Sequence, residues 1–257
     1  MAKVGIALSG GGARGIAHLG VLQALDDLGV EIAEISGTSS GAIMGAFYAA
    51  GTPPEKVLEL IKATNLLRFM RPAISRTGLL KVERLQSLFI RHLPVDSFQG
   101  LTKKLIINAT DIVKGEIRYF DQGELVPAIL ASCCMPVIFD PIVINGVSYM
   151  DGGILNNLPI EPLQPGCEII IGSHCNPVDR EFKLKHAKAL LERTLLMAIR
   201  NNTLQRQQQC QIYFEPPALS KYIGSDFNKA DELYKIGYQY VIGMRNKVET
   251  ILSEHNK

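Results

Sequence analysis

The chain has 257 residues, 47% of them hydrophobic, and a formal net charge of +2 at pH 7. This length suits one α/β domain over residues 1–257, and the near-neutral charge gives no indication of a nucleic-acid partner. No apolar run approaches the ~20 residues that cross a bilayer. The five cysteines include no C-x-x-C pair, so we expect free thiols, no metal site and a cytoplasmic location.

The first fifty residues alternate between strand and helix patterns. Val4 to Leu8 predicts a buried strand that ends just before three consecutive glycines, Gly10 to Gly12. Leucines at helical spacing predict a helix from Ile16 to Leu28. A second strand at 32–35 leads into a helix from Ser40 to about Ala50. This order implies parallel strands joined by right-handed crossovers.

The remainder of the chain continues the α/β pattern. Its predicted elements are helices at 55–63, 82–92 and 124–132, strands at 104–110, 116–120 and 168–173, a hairpin at 142–150, and long helices at 185–209 and 230–252. The pattern therefore predicts an α/β fold.

A serine stands between two glycines directly after the second predicted strand, in Gly37-Thr38-Ser39-Ser40-Gly41. The G-x-S-x-G pattern at a strand-to-helix turn is typical of an exposed nucleophilic serine held on a sharp turn. Side chains at Gly37 or Gly41 would crowd such a turn. The alternative is a chance match in a loop that contains glycine and serine.

The glycines after the first strand are candidates for an oxyanion hole. Several backbone N–H groups of Gly10, Gly11 and Gly12 can converge on one negative oxygen at the start of a helix. Arg14 could steady this loop or meet an anionic head group. The segment also fits G-x-G-x-x-G, but the second strand runs into the serine turn where dinucleotide binding requires an acidic residue.

Asp151, in Asp151-Gly152-Gly153, is a candidate base at the end of an apolar run, although Asp-Gly is also a common turn dipeptide. Histidine is the usual base beside a catalytic serine. His174 follows the strand predicted at 168–173, and the order Ser39, Asp151, His174 is that of α/β-hydrolase triads. A Ser-His-Asp triad therefore stays open beside a Ser-Asp pair.

With these motifs in order, the chain resembles the patatin-like phospholipases of the bacterial, single-domain type. The resemblance rests on the segments Gly10 to Gly15, Gly37 to Gly41, and Asp151 to Gly153. Residues 131–136 also resemble the family's A-S-x-A-x-P segment, with Cys134 in place of an alanine. These motifs span about the first two-thirds of the chain.

The resemblance implies a three-layer α/β/α fold with a mostly parallel central sheet. It implies a Ser39–Asp151 dyad and an oxyanion hole at Gly10, Gly11 and Gly12. The supporting residues that it implies are Arg14, Gly37, Gly41, Gly152 and Gly153. The implied reaction is hydrolysis of a phospholipid, lysophospholipid or similar ester through an acyl-enzyme, without a cofactor. A solvated aspartate is a weak base, so Asp151 needs burial to raise its pKa.

Three points stay open in the sequence. The same site could serve an acyltransferase or thioesterase, or a regulatory protein that senses lipid. Bulky apolar residues and arginines are mixed at 66–76, where they could form a lid or a packed loop. The lipid substrate implies peripheral contact with the inner membrane surface as an alternative to a purely cytoplasmic protein.

Overall fold

The computed structural model describes residues 2–64, 83–136, 139–178 and 187–255. Its strands are β1 (Val4–Leu8), β2 (Ile32–Gly37), β3 (Lys104–Asp111), β4 (Glu116–Phe120), β5 (Ile142–Ile144), β6 (Val147–Asp151), β7 (Ile169–Ser173) and β8 (Ile212–Phe214). Its α-helices are α1 (Ala17–Asp27), α2 (Ser40–Ala49), α3 (Pro54–Ala63), α4 (Glu83–His92), α5 (Leu125–Ser132), α6 (Ala187–Gln207), α7 (Ala230–Gly243) and α8 (Arg245–His255).

The strands form one sheet in the order β5-β6-β3-β2-β1-β7-β8, with β4 also paired to β3. The pairs along β3-β2-β1-β7-β8 are parallel, whereas β4, β5 and β6 join through antiparallel pairs. The predicted mostly parallel sheet is confirmed, with an antiparallel part at one side.

Helices and turns cover both faces of the sheet and make three layers. α1, α2, α3 and α7 pack together on one face, over a core that includes Ile6, Leu8 and Ile35. The opposite face buries Ala7, Ile106 and other apolar residues against the segment 158–163. Arg206 of α6 reaches that segment through an ion pair with Glu161. The predicted three-layer α/β/α architecture is confirmed.

Helix α2 lies unusually close to the sheet because its facing residues are glycines. A Cβ atom at Gly41 would lie 2.7 Å from the carbonyl oxygen of Ser9 and closer still to that of Leu8. A Cβ atom at Gly45 would lie 3.1 Å from the side chain of Ile35. This contact brings the N-terminus of α2 beside the end of β1.

The register of β3 explains how the carboxyl end of β2 meets the end of β6. β2 pairs with β3 up to Ile107, and β6 pairs with β3 from Asp111 back to Ala109. Because β4 occupies the opposite edge of β3 over residues 107–111, β2 and β6 share one edge. β6 therefore ends about 7 Å, or two residues, beyond the point where β2 leaves the sheet.

Two elements differ from the sequence-based expectation. The helix predicted at 230–252 is two helices, since α7 ends at Gly243, a residue of low helix propensity, and α8 begins at Arg245. β8 was not predicted because its three residues carry no periodicity, and it forms by pairing with β7. The segment 66–76 lies outside the described residues. In the described part of the chain, every helix is too short or too polar to cross a bilayer.

Candidate active site

Ser39 lies at a sharp turn between β2 and α2. Its backbone has φ 53° and ψ −123°, a combination that a residue with a side chain rarely adopts. Ser39 is half-buried, whereas Gly37, Thr38, Ser40 and Gly41 are all buried. The turn thus presents the Ser39 side chain as the accessible group of the pentapeptide.

Neither flanking glycine has room for a side chain. A Cβ atom at Gly37 would lie 2.6 Å from the carbonyl oxygen of Gly41, across the turn. At Gly41 the obstacle is the backbone at the end of β1, as described above. The crowding expected from the pentapeptide is present at both positions, and it makes the turn depend on glycine.

A buried hydrogen-bond network fixes the turn that carries Ser39. The Thr38 hydroxyl donates to Asn108 Oδ1 at 2.6 Å, and the Asn108 amide donates to the carbonyl oxygen of Asn156 at 2.7 Å. Asn108 belongs to β3, and Asn156 follows Asp151 in the chain. The network therefore ties the serine turn to the loop that carries the candidate base.

Asp151 and Ser39 are brought into contact. The Ser39 hydroxyl lies close enough to the Asp151 carboxyl to lower its pKa, and Asp151 Oδ1 accepts the N–H of Gly153 at 2.8 Å. Burial raises the pKa of the Asp151 carboxyl from 3.8 to about 6, against the opposing effects of the Gly153 N–H and the Ser39 hydroxyl. A buried carboxylate with this pKa is a better proton acceptor than a solvated one.

The two glycines after Asp151 let the chain pass close to its neighbours. A Cβ atom at Gly152 would lie 2.5 Å from the carbonyl oxygen of Asn108, and one at Gly153 would lie 3.0 Å from Asp151 Oδ1. Because neither glycine has a side chain, the loop can fold back over the Asp151 carboxylate, and the N–H of Gly153 donates to it.

The glycine loop lies directly against Ser39. A Cβ atom at Gly10 would be 3.0 Å from the Cβ of Ser39. The N–H of Gly10 points to the carbonyl oxygen of Asn157 at 3.4 Å. No acceptor for the N–H of Gly11 or Gly12 is found among the described residues, and both are partly exposed. Of the three predicted oxyanion-hole amides, those of Gly11 and Gly12 thus have no partner in the described chain, whereas that of Gly10 faces a carbonyl oxygen.

Arg14 lies inside the loop rather than on the surface. Its side chain is buried, and its Nε approaches the carbonyl oxygen of Gly11 at 3.5 Å. Of the two roles considered from the sequence, this position favours steadying the loop over contact with a head group.

The His174 side chain bonds to Glu215. Its Nδ1 lies 2.9 Å from Glu215 Oε1, and Glu215 also pairs with Arg200 at 2.6 Å. Its Nε2 is buried and makes no hydrogen bond, so among the described residues His174 is bonded to neither Ser39 nor Asp151. The structure does not assemble the Ser-His-Asp alternative.

Three residues beside Ser39 had no role assigned from the sequence. Ser132 Oγ accepts the N–H of Ser39 at 2.8 Å, and the Cys133 thiol lies close enough to Ser39 and Asp151 for both to affect its pKa. Ser132 and Cys133 belong to the segment 131–136, which resembles a segment of the family but had no function assigned to its residues from the sequence. Asn157 packs its amide against Gly10 and Gly153, and no sequence signal distinguished it.

Together these groups have the parts that acyl transfer needs: a hydroxyl on a strained turn, a buried carboxyl beside it, and two backbone amides without a partner in the described chain. The N-terminus of α2 adds positive potential beside the hydroxyl. In the part of the chain that the structure describes, no cluster of His, Cys, Asp and Glu side chains could hold a metal ion.

Comparisons with known proteins identify relatives of this chain. The family model described as patatin-like phospholipase matches residues 6–163. An uncharacterized NTE family protein of Mycobacterium bovis is 36% identical over 163 residues, which cover 63% of this chain and 45% of that protein. Lysophospholipase NTE1 of Kluyveromyces lactis is 28% identical over 273 residues, which cover 92% of this chain and 19% of that protein.

Among solved structures, VipD from Legionella pneumophila matches with a TM-score of 0.65 and 16% identity, over 95% of this chain and 67% of VipD. At this identity the likeness concerns the fold. The chain spans less than half the length of the two relatives named above. Because the matched residues 6–163 include more than half of the chain and all three motifs of the site, the chain belongs to the patatin-like phospholipase family.

Proposed function

We propose that this chain is a serine-dependent lipid acyl hydrolase that uses Ser39 and Asp151 as a catalytic dyad. The observation that carries the proposal is that the strained, accessible Ser39 lies beside the buried Asp151 carboxyl, whose pKa is raised to about 6. The family and the lysophospholipase among its relatives support phospholipids or lysophospholipids as the substrate class.

In the first half of the reaction, Ser39 Oγ attacks the ester carbonyl carbon while Asp151 accepts the hydroxyl proton. The carbonyl oxygen becomes an oxyanion, which the N–H groups of Gly11 and Gly12 stabilise. When the tetrahedral intermediate collapses, the bond to the alcohol breaks and Asp151 returns the proton to the leaving oxygen. The acyl group then remains as an ester on Ser39.

In the second half, a water molecule replaces the alcohol. Asp151 accepts a proton from the water as its oxygen attacks the acyl carbonyl, and then gives that proton to Ser39 Oγ as the fatty acid leaves. An alcohol or thiol acceptor in place of water would make the same site a transferase. Thioesters could enter by the same route.

Labelling with a fluorophosphonate probe tests the nucleophile directly. We expect modification at Ser39, its loss in Ser39→Ala, and hydrolysis of p-nitrophenyl butyrate by the wild-type chain alone. A probe attached to another serine, or equal hydrolysis by Ser39→Ala, would contradict the assignment. A chain that folds normally but neither reacts nor hydrolyses would favour the lipid-sensing alternative. Product analysis with a lysophospholipid, with and without an added alcohol, separates hydrolysis from transfer.

A further inference from the structure

Two hairpin turns project beyond the edge of the sheet that carries Ser39. They connect β3 to β4 at residues 112–115 and β5 to β6 at residues 145–146. Asp151 pairs with Ala109, and the N–H of Ile112 still donates to the Ser148 carbonyl oxygen at 3.2 Å. β3 therefore extends two residues, about 7 Å, past the level of Asp151, and Val113 lies in the turn beyond its end at Asp111.

The tips of these hairpins expose aliphatic side chains on a fixed backbone. Val113 is 81% exposed, Val143 is 64% exposed and Ile112 is 44% exposed. The carboxylate of Asp111 accepts the N–H groups of Val113 and Lys114 at 3.0 Å each, which fixes the turn. Ile112 and Val113 are thus exposed on an ordered turn, while Val143 is exposed within strand β5.

Two cations accompany the exposed aliphatic groups. Lys114 and Arg118 line a groove of about 350 Å³ between the hairpins, together with apolar side chains of β4, β5 and β6. Neither cation forms an ion pair with any described residue, and the Arg118 guanidinium lies 5.7 Å from the ring centroid of Phe120. The acids in this groove are Glu116, which is exposed, and Asp111, which is bonded to the turn amides.

We propose that the two hairpin tips form a docking surface for an anionic phospholipid membrane. Ile112, Val113 and Val143 enter the interface between head groups and acyl chains, and Lys114 and Arg118 contact lipid phosphates. This inference rests on the proposed function, because it places the lipid at the edge of the sheet where Ser39 is accessible.

Vesicle flotation of the full chain tests this surface. The vesicles are made of phosphatidylcholine alone or of phosphatidylcholine mixed with phosphatidylglycerol. One variant combines Lys114→Gln with Arg118→Gln, and its charge-matched control combines Lys235→Gln with Lys247→Gln on α7 and α8. The apolar variant is Val113→Asp.

The matched control for Val113→Asp is Ile242→Asp, another exposed aliphatic position, on α7. We expect the double Gln variant to bind vesicles with phosphatidylglycerol roughly thirtyfold more weakly than the wild type. Val113→Asp should bind both kinds of vesicle at least fivefold more weakly, which is the order of the effect expected when one apolar side chain is no longer buried. Both control variants should bind as the wild type does.

Two further measurements separate this inference from the proposed function. All four variants should hydrolyse soluble p-nitrophenyl butyrate at the wild-type rate, and Ser39→Ala should bind vesicles normally without hydrolysis. If the wild-type chain binds vesicles, the hairpin variants bind them more weakly and no ester is hydrolysed, the proposed function fails and the docking surface stands. Wild-type binding by both hairpin variants refutes the docking surface. A dimer in light scattering that Val113→Asp dissociates would also refute it, by assigning the surface to a second copy.

Discussion

Replacing Asp151 by Asn should abolish activity and stabilise the fold at neutral pH. The rise in the carboxyl pKa from 3.8 to about 6 means that folding opposes ionisation of this group. Below pH 3.8 the carboxyl is protonated in both the folded and the unfolded chain, and it has no net effect. As pH rises from 3.8 to about 6, the unfolded chain releases the proton first, so stability falls.

The difference between the two pKa values corresponds to about 3 kcal/mol of unfolding free energy. Relative to low pH, the wild-type chain has lost all of this stability above about pH 6. Asparagine has no charge to bury, and its Oδ1 can still accept the N–H of Gly153. Asp151→Asn should therefore match the wild type at about pH 4 and exceed it by up to about 3 kcal/mol at about pH 7.5. For a chain of this size, that is a rise in Tm of roughly 8 °C.

Thermal unfolding at both pH values and hydrolysis of p-nitrophenyl butyrate measure the two effects. The wild-type kcat/KM should rise with pH through an apparent pKa of about 6, since Asp151 must be ionised to accept the Ser39 proton. Asp151→Asn should lose at least about 1000-fold in kcat. Asp111→Asn, a buried carboxyl without contact to Ser39, should retain activity. An active Asp151→Asn variant, or one with no pH-dependent gain in stability, would refute the role of this carboxyl.

Three other substitutions test the remaining parts of the site. Ser132→Ala removes the acceptor of the Ser39 N–H, and we expect a loss of about 1 kcal/mol in urea unfolding and a lower kcat with little change in KM. His174→Ala should leave most of the activity and the pH profile of kcat/KM unchanged, because His174 bonds to Glu215. A folded but inactive His174→Ala variant would instead support the Ser-His-Asp triad. Gly41→Ala should lower stability by about 3 kcal/mol or more, because its methyl group would overlap the backbone of β1, and a wild-type Tm would contradict that packing.

The local elements near the site were predictable because each carries its own signal. β1 is a short apolar run that leads into the glycine loop, β2 is a short strand that leads into the G-x-S-x-G turn, and α2 shows its glycine face in the sequence itself. The bond between His174 and Glu215 had no such signal, since Glu215 follows β8, a strand visible only through its pairing with β7. The roles of Ser132 and Asn157 likewise depend on which backbone groups lie next to them.

By itself the sequence determined the glycine-flanked serine turn, the glycine loop before α1 and the aspartate at the end of an apolar run. These are local features, set by the steric demands of single turns and by the period of apolar residues. Only the tertiary structure decided that Asp151, rather than His174, reaches Ser39. The physical reason is that β6 runs antiparallel along the edge of β3 that β2 has left, so its last residue is buried beside the serine, where loss of solvent raises the pKa of the carboxyl.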